Sequence, residues 1–259
     1  EFKGIFWLEY IHRLWGRLIG LAFAVPMFWF MLRRRLPEGV APHLWILLVL
    51  GGAQGVMGWL MVESGLVDRP SVSQYRLAAH LGLAIVIYGY LVWVAAGLLQ
   101  RRTIAARPPF GLARAFIWYL FVVILSGAFV AGLDAGAIHN TFPDMSGYLL
   151  PPGGYDPALG WLNHFENPVA VQFQHRWLAK LAVLFAFVLW LRVRAVPRVS
   201  WHARRMADLV ALMALVQLGL GVATLLLEVQ IAIAATHQAG ALVLLTLAIL
   251  LLPRLRTAA

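Results

Sequence analysis

The sequence predicts an all-α, polytopic membrane protein with seven helical spans, and three observations predict it. Hydrophobic residues make up 62% of the 259 positions and charged residues 12%, more apolar surface than a soluble domain of this length hides in one core. The mean hydropathy of +0.79 makes sense when lipid is the solvent for most helix exteriors. The apolar runs are continuous rather than alternating at every second residue, which argues against strand spans.

Seven runs reach the roughly 20 mostly apolar residues that a span needs. The first covers about 7–32 and is followed by Arg33, Arg34 and Arg35. A second, 43–62, contains Gly51, Gly52, Gly55 and Gly58; a third, 77–99, has His80 near its start and leads into Arg101, Arg102, Arg107 and Arg114. The fourth, 115–135, opens onto a long segment, 136–170, that holds no Lys or Arg but carries Asp144, Asp156 and Glu166. The fifth, 171–191, precedes Arg192, Arg194, Arg198, Arg204 and Arg205; the sixth and seventh, 207–227 and 232–252, end at Arg254 and Arg256. Basic loops stay on the cytoplasmic side of a membrane. All four basic groups are therefore expected inside and 136–170 outside, so that Glu1 starts outside and Ala259 ends inside.

Composition also excludes some classes. The chain has no cysteine, so disulfides, thiolate metal sites and cysteine nucleophiles are out. A net charge of +10 would raise nucleic acid as a partner in a soluble protein. Here the charges sit in short clusters between spans, without a basic stripe interleaved with aromatics, and no nucleic acid is expected.

The two halves repeat. Glu9-Tyr-Ile-His12-Arg13 opens one span and Gln172-Phe-Gln-His175-Arg176 another; each is followed by a glycine-containing span (the second by Gly219 and Gly221) and then by a span with a histidine near its start, His80 or His237. The second half has one more span and the outer segment before its His-Arg pair. A preceding helix and outer loop are therefore expected for the first half, giving eight spans in two pseudo-symmetric four-helix bundles related by an axis along the membrane normal. On that division, 1–102 is an N-terminal half of three spans and 103–259 a C-terminal four-helix bundle.

His12, His80, His175 and His237 all enter spans from the outer side, at similar depth. Ionisable groups inside spans usually face the bundle interior, and paired imidazoles on facing helices can sandwich a porphyrin. A lone intramembrane histidine is ordinarily a hydrogen-bonding or relay residue; four at matched depth, paired by a repeat, point to heme. A zinc site is disfavoured because no short-spaced three-ligand cluster occurs. Small residues nearby (Gly16, Gly20, Ala78, Ala79, Gly82, Ala234, Ala235, Gly240) leave room for a flat macrocycle or serve ordinary close packing.

Arg13, Arg17, Arg76 and Arg176 have two readings: partners for heme propionates, or interfacial anchors. His43 and His202 read as interfacial, and His139 and His164 as solvated loop residues that could assist substrate entry. The repeat breaks at one place, where Glu9 stands opposite Gln172. Residues three apart share a helix face, so the Glu9 carboxylate is expected in the first heme site, where it can serve in proton transfer. The first half would then perform chemistry and the second hold a permanent heme for electron transfer. The alternative leaves Glu9 as an interfacial residue satisfied by Lys3 or Arg13.

The segments EFKGIFWLEYIHRLWGR, QGVMGWLMVESGL, YRLAAHLGLA, GAFVAGLDAGAIHNTFP, FENPVAVQFQHR and ATHQAGA span almost the whole chain. Together they resemble heme A synthase in its cysteine-free proteobacterial form, related to the mitochondrial enzyme. That family has eight spans, which matches the helix and loop the repeat expects ahead of this chain. The resemblance implies oxidation of the C8 methyl of heme O to a formyl group, giving heme A for terminal oxidases, with water as oxygen source. It implies His12 and His80 as substrate-heme ligands, Glu9 as the essential carboxylate, and His175 and His237 as the ligands of heme b. It places the protein in the bacterial inner membrane with its heme sites toward the periplasm. The partners it suggests are heme O, the bilayer, a heme O synthase and oxidase assembly factors, with a homo-oligomer left open. The main rival is a membrane cytochrome b subunit that only carries electrons, which leaves the contrast of Glu9 with Gln172 without a purpose. A transporter built on parallel repeats would instead continue its polar groups across the midplane.

Overall fold

The computed structural model describes residues 2–65, 73–99, 109–197 and 199–255. Arg101, Arg102, Arg107, Arg198 and Arg256 of the basic groups, and the expected 102/103 division, lie outside the described residues. Eight α-helices follow in order: α1 (Phe2–Leu32), α2 (Val40–Gly65), α3 (Gln74–Leu99), α4 (Phe110–Gly132), α5 (Asn163–Glu166), α6 (Pro168–Arg194), α7 (Trp201–Leu226) and α8 (Ile231–Leu255). Among the described residues there is no strand, only an isolated bridge between Met145 and Tyr148.

Among the described residues six helices, α1, α2, α3, α4, α7 and α8, are long and apolar enough to cross a membrane. The protein is thus an all-helical integral membrane protein. Helix α6 runs 27 residues, but Gln172, Gln174, His175, Arg176 and Lys180 crowd its first half and Arg192 and Arg194 its end. That polar load keeps it out of the set of six. Its start is built locally: Asn167 accepts from the N–H groups of Val169 (3.0 Å) and Ala170 (3.2 Å), and Pro168 fills the first helical position, where a missing N–H does no harm. Helix α4 ends at Gly132, three residues before the expected 135, because Asp134 turns left-handed at φ 51°.

The chain forms two compact units, Glu1–Pro70 and Ser71–Ala259. In the first, α1 and α2 pack together, with the Phe28 and Trp45 rings edge to face at 5.8 Å. In the second, α4, α6, α7 and α8 neighbour one another in a closed ring, and α3 packs on α4 and α8. The dense core of that ring uses Ala113, Phe116 and Leu120 of α4, and Ala186, Leu189 and Val193 of α6. Ala203, Ala207 and Val210 of α7, with Leu244, Ala248 and Leu251 of α8, complete it. These positions occupy the first halves of α4 and α7 and the second halves of α6 and α8. The core therefore fills the end remote from the loop at 133–167, and the buried polar residues Asn163, Asn167 and Gln172 lie at the loop end.

Glycine permits a close backbone contact between α3 and α4. A Cβ at Gly132 would stand 2.6 Å from the Gln74 Cα, backbone against backbone. Gly132→Ala must push α3 from α4, an overpacking worth about 1–3 kcal/mol. We expect a lower thermal midpoint for the detergent-solubilised protein. An unchanged midpoint would show that these helix ends are free to separate.

The loop at 133–167 is folded rather than loose. Buried Asn163 accepts from the Asp156 N–H (2.8 Å) and donates to the carbonyls of Asp156 (2.8 Å) and Gly160 (2.7 Å). Asn167 donates to the Gly153 carbonyl at 2.8 Å. The Thr141 hydroxyl, the Gly147 N–H and the charge of Arg176 hold the Asp144 carboxyl below its ordinary range. A lowered folded value stabilises the loop above the ordinary carboxylate range, and that contribution is lost as pH falls through the lowered value. Acid should therefore open the 141–148 turn to protease, and Asp144→Asn should make cleavage there independent of acid. Cleavage that rises equally with acid in both proteins would contradict this.

Candidate functional site

His175 sits on α6 about two turns inside its start, and its ring rests against α4. A Cβ at Gly127 would meet the His175 Cε1 at 3.2 Å, so a larger residue would press on the imidazole. The Nδ1 of His175 lies 2.8 Å from the Ser126 Oγ. Ser126 donates its only proton to the Val123 carbonyl at 2.7 Å, so toward His175 it accepts. The Val123 carbonyl also interacts with the ring. An accepting Ser126 at Nδ1 puts the ring proton there and leaves the Nε2 lone pair available.

His237 repeats this arrangement one helix pair later. Its ring, on α8, rests against Gly221 of α7, where a Cβ would stand 2.9 Å from the His237 Cε1. Gln217, four residues before Gly221, donates its amide to the His237 carbonyl at 2.8 Å and holds that nitrogen 3.1 Å from the ring Nδ1. The main-chain carbonyl of Gln217 also interacts with the ring. His175 and His237 lie within electrostatic range of each other, so two of the four candidate histidines are brought together. No hydrogen bond reaches either Nε2 among the described residues.

A roof covers this pair. Gln172, three residues before His175 and 2% exposed, donates to the carbonyls of Gly136 (3.4 Å) and His139 (3.1 Å). Asn140 donates to Leu225 at the end of α7 (2.8 Å), and Gly136 packs against Val229 in the α7–α8 turn. Segment 135–140 thus ties α6 to α7 one turn above both imidazoles.

Arg176 serves the same loop, its terminal nitrogens donating to the carbonyls of His139 (2.6 Å), Thr141 (3.0 Å) and Asp144 (2.7 Å). Its Nε has no hydrogen-bond partner, and neither do the buried His139 Nε2, Gln172 Oε1 and Gln217 Oε1. The expectation of a solvated His139 needs correction: the residue is half-buried, with Nδ1 on Ser146 at 2.9 Å and its carbonyl taken by Gln172 and Arg176. His164 is exposed, as expected for a loop residue.

In the first unit, Glu9, His12, Arg13 and Arg17 lie on α1 with exposed side chains, and Glu9 pairs with Arg13 one turn on. His80 stands half-buried on α3 of the second unit, and Arg76 exposed one turn before it. Ser126, Gly127 and Gln217 escaped the sequence reading. A usable signal was there: Gln54-x-x-x-Gly58 in α2 has the same spacing as Gln217-x-x-x-Gly221 in α7.

Residues 1–249 match the family model described as COX15-CtaA, cytochrome oxidase assembly protein. The chain is 45% identical over 255 residues to a heme A synthase of Nitrosomonas eutropha, covering 96% of this chain and 71% of that protein. It is 46% identical over 254 residues to one of Nitrosospira multiformis, with 96% and 71% covered. A heme A synthase of Rhodospirillum centenum is 46% identical over 261 residues, with 99% and 69% covered. No solved structure matches the chain.

Proposed function

Since the chain belongs to the COX15-CtaA family of cytochrome oxidase assembly proteins, we propose that it acts as a heme A synthase, oxidising the C8 methyl of heme O to a formyl group. Identity of 45–46% to heme A synthases across about 96% of the chain is the observation that carries this reading. It is an oxidoreductase of heme O in the bacterial inner membrane. Helix α6 is its seventh span, held among the apolar α4 and α7. The outer loop faces the periplasm and the C-terminus the cytoplasm.

The halves divide the work. His175 and His237 hold a resident heme b in the C-terminal bundle, 103–259. Three observations fit such a group: rings held at Nδ1 with Nε2 left over, a core that thins at the loop end, and buried polar atoms around the pair that lack partners. Heme b, when bound, supplies one-electron transfer. The roof of Gln172, His139 and Asn140 keeps water from its outer edge. Nε of Arg176 remains as a donor for a propionate.

His12 and His80 hold the substrate heme in the N-terminal half, 1–102, with Arg13, Arg17 and Arg76 toward its propionates. Glu9, one turn from His12, would accept protons as the methyl carbon gives up two electrons and two protons for each hydroxyl it takes from water. The resulting diol loses water to give the formyl group, and the electrons pass by way of heme b to an external acceptor. A pure electron carrier would need no carboxylate at this place, and the matching Gln172 of the second half is spent on loop carbonyls.

The test is the heme inventory of the purified full-length protein, by mass and absorption. Heme b together with heme O or its oxidised products is expected. Heme b alone, with no conversion of added heme O, would leave a cytochrome b subunit instead.

A further inference from the structure

Both candidate heme ligands rest on a glycine of the helix before them, and both have Nδ1 engaged by the same stretch of that helix. On α4 the glycine is Gly127, with Ser126 beside it and the Val123 carbonyl one turn back. On α7 it is Gly221, with Gln217 one turn back supplying both its amide and its carbonyl. The spacing is identical, residue i supplying a carbonyl and residue i+4 being glycine. An imidazole laid on a helix backbone needs that missing Cβ, since other side chains would fill the space the ring occupies.

Resting on the reading of His175 and His237 as heme ligands, we infer that Gly127 with Ser126, and Gly221 with Gln217, form two seats that fix these imidazoles with Nδ1 held and Nε2 presented to iron. They are positioning residues and touch no reacting atom. The seats act on tautomer and ring orientation together. An acceptor at Nδ1 fixes the proton there, keeps Nε2 as the donor atom and raises its basicity. Ser126 does this with a hydroxyl whose own proton is committed to Val123. At the second seat the main-chain carbonyl of Gln217 interacts with the ring. The Gln217 amide nitrogen lies 3.1 Å from Nδ1 while it donates to the His237 carbonyl, which fixes the orientation of the ring. The seats are unequal: a methyl at position 127 would sit 3.2 Å from its ring and one at 221 only 2.9 Å. The second seat therefore tolerates less.

The experiment compares Gly221→Ala with Gly219→Ala in the full-length protein. Gly219 lies on the same helix, and a Cβ there meets nothing within 4 Å. Heme-to-protein ratio, spin state by electron paramagnetic resonance and elution volume are read for both, with His237→Ala alongside. We expect Gly221→Ala to elute as the folded protein and retain the low-spin heme roughly tenfold or more weakly, with Gly219→Ala like the parent. Ser126→Ala should shift the heme midpoint potential and Ser126→Thr restore it. If Gly221→Ala keeps the parent spectrum and ratio while His237→Ala loses the low-spin signal, the seat is wrong and the ligand assignment stands. Equal loss in the Gly219 and Gly221 variants also overturns the seat, since the effect would then be general to α7. If His237→Ala itself keeps the parent spectrum, the ligand assignment fails and the seat with it.

Discussion

His175→Ala should abolish the low-spin heme b signal of the purified protein, and His12→Ala should keep it. Iron held between two imidazoles needs both, and His175 has the better prepared ring, with Ser126 and Val123 as acceptors on one side and Gly127 beneath. The variant loses a ligand and also leaves a cavity and a polar Ser126 without its partner. Unmade buried hydrogen bonds cost about 1–3 kcal/mol, so the apoprotein should also unfold at lower temperature. Absorption of the reduced protein and its thermal midpoint are the two readings. If His12→Ala removes the low-spin signal and His175→Ala spares it, the roles of the halves are exchanged.

The second large effect is on turnover. Glu9→Gln should cut conversion of heme O by about 100-fold or more, the usual worth of a positioned general base, and leave the heme b spectrum intact. Glu9 also pairs with Arg13 on the exposed face of α1, so Arg13→Gln is the necessary companion. An exposed pair one turn apart contributes only about 0.3–0.5 kcal/mol to stability, too little to explain a hundredfold loss. Glu9→Gln should thus be far slower than Arg13→Gln when product is measured by mass. Equal losses would reduce Glu9 to the partner of Arg13, and an unchanged rate in Glu9→Gln would remove it from the chemistry.

The contrast between Glu9 and Gln172 was legible because it lies in a repeated motif, where one substitution stands out. Its consequence was only half legible. By the repeat Gln172 stands where Glu9 does; in the fold its nitrogen ties α6 to the carbonyls of Gly136 and His139. Arg176 follows the same pattern. Its charge and position suggest a propionate, and in the fold its terminal nitrogens secure three loop carbonyls. Both residues act through a segment more than thirty positions earlier in the chain, and no local pattern records such a partner.

What the linear sequence determined is the helical, membrane-spanning class of this protein and the places of its histidines along the apolar runs. Long unbroken apolar runs leave helices as the only way to satisfy backbone groups in lipid, and His12, His80, His175 and His237 fall near the starts of four of them. Tertiary structure alone decided which atom of each ring is engaged, through Ser126, Gly127, Gln217 and Gly221. Those contacts join helices across the bundle, and their effect depends on distances of a few tenths of an ångström that composition and spacing do not encode. Packing also decided that the core of the second unit gathers away from the loop, toward the end opposite His175 and His237.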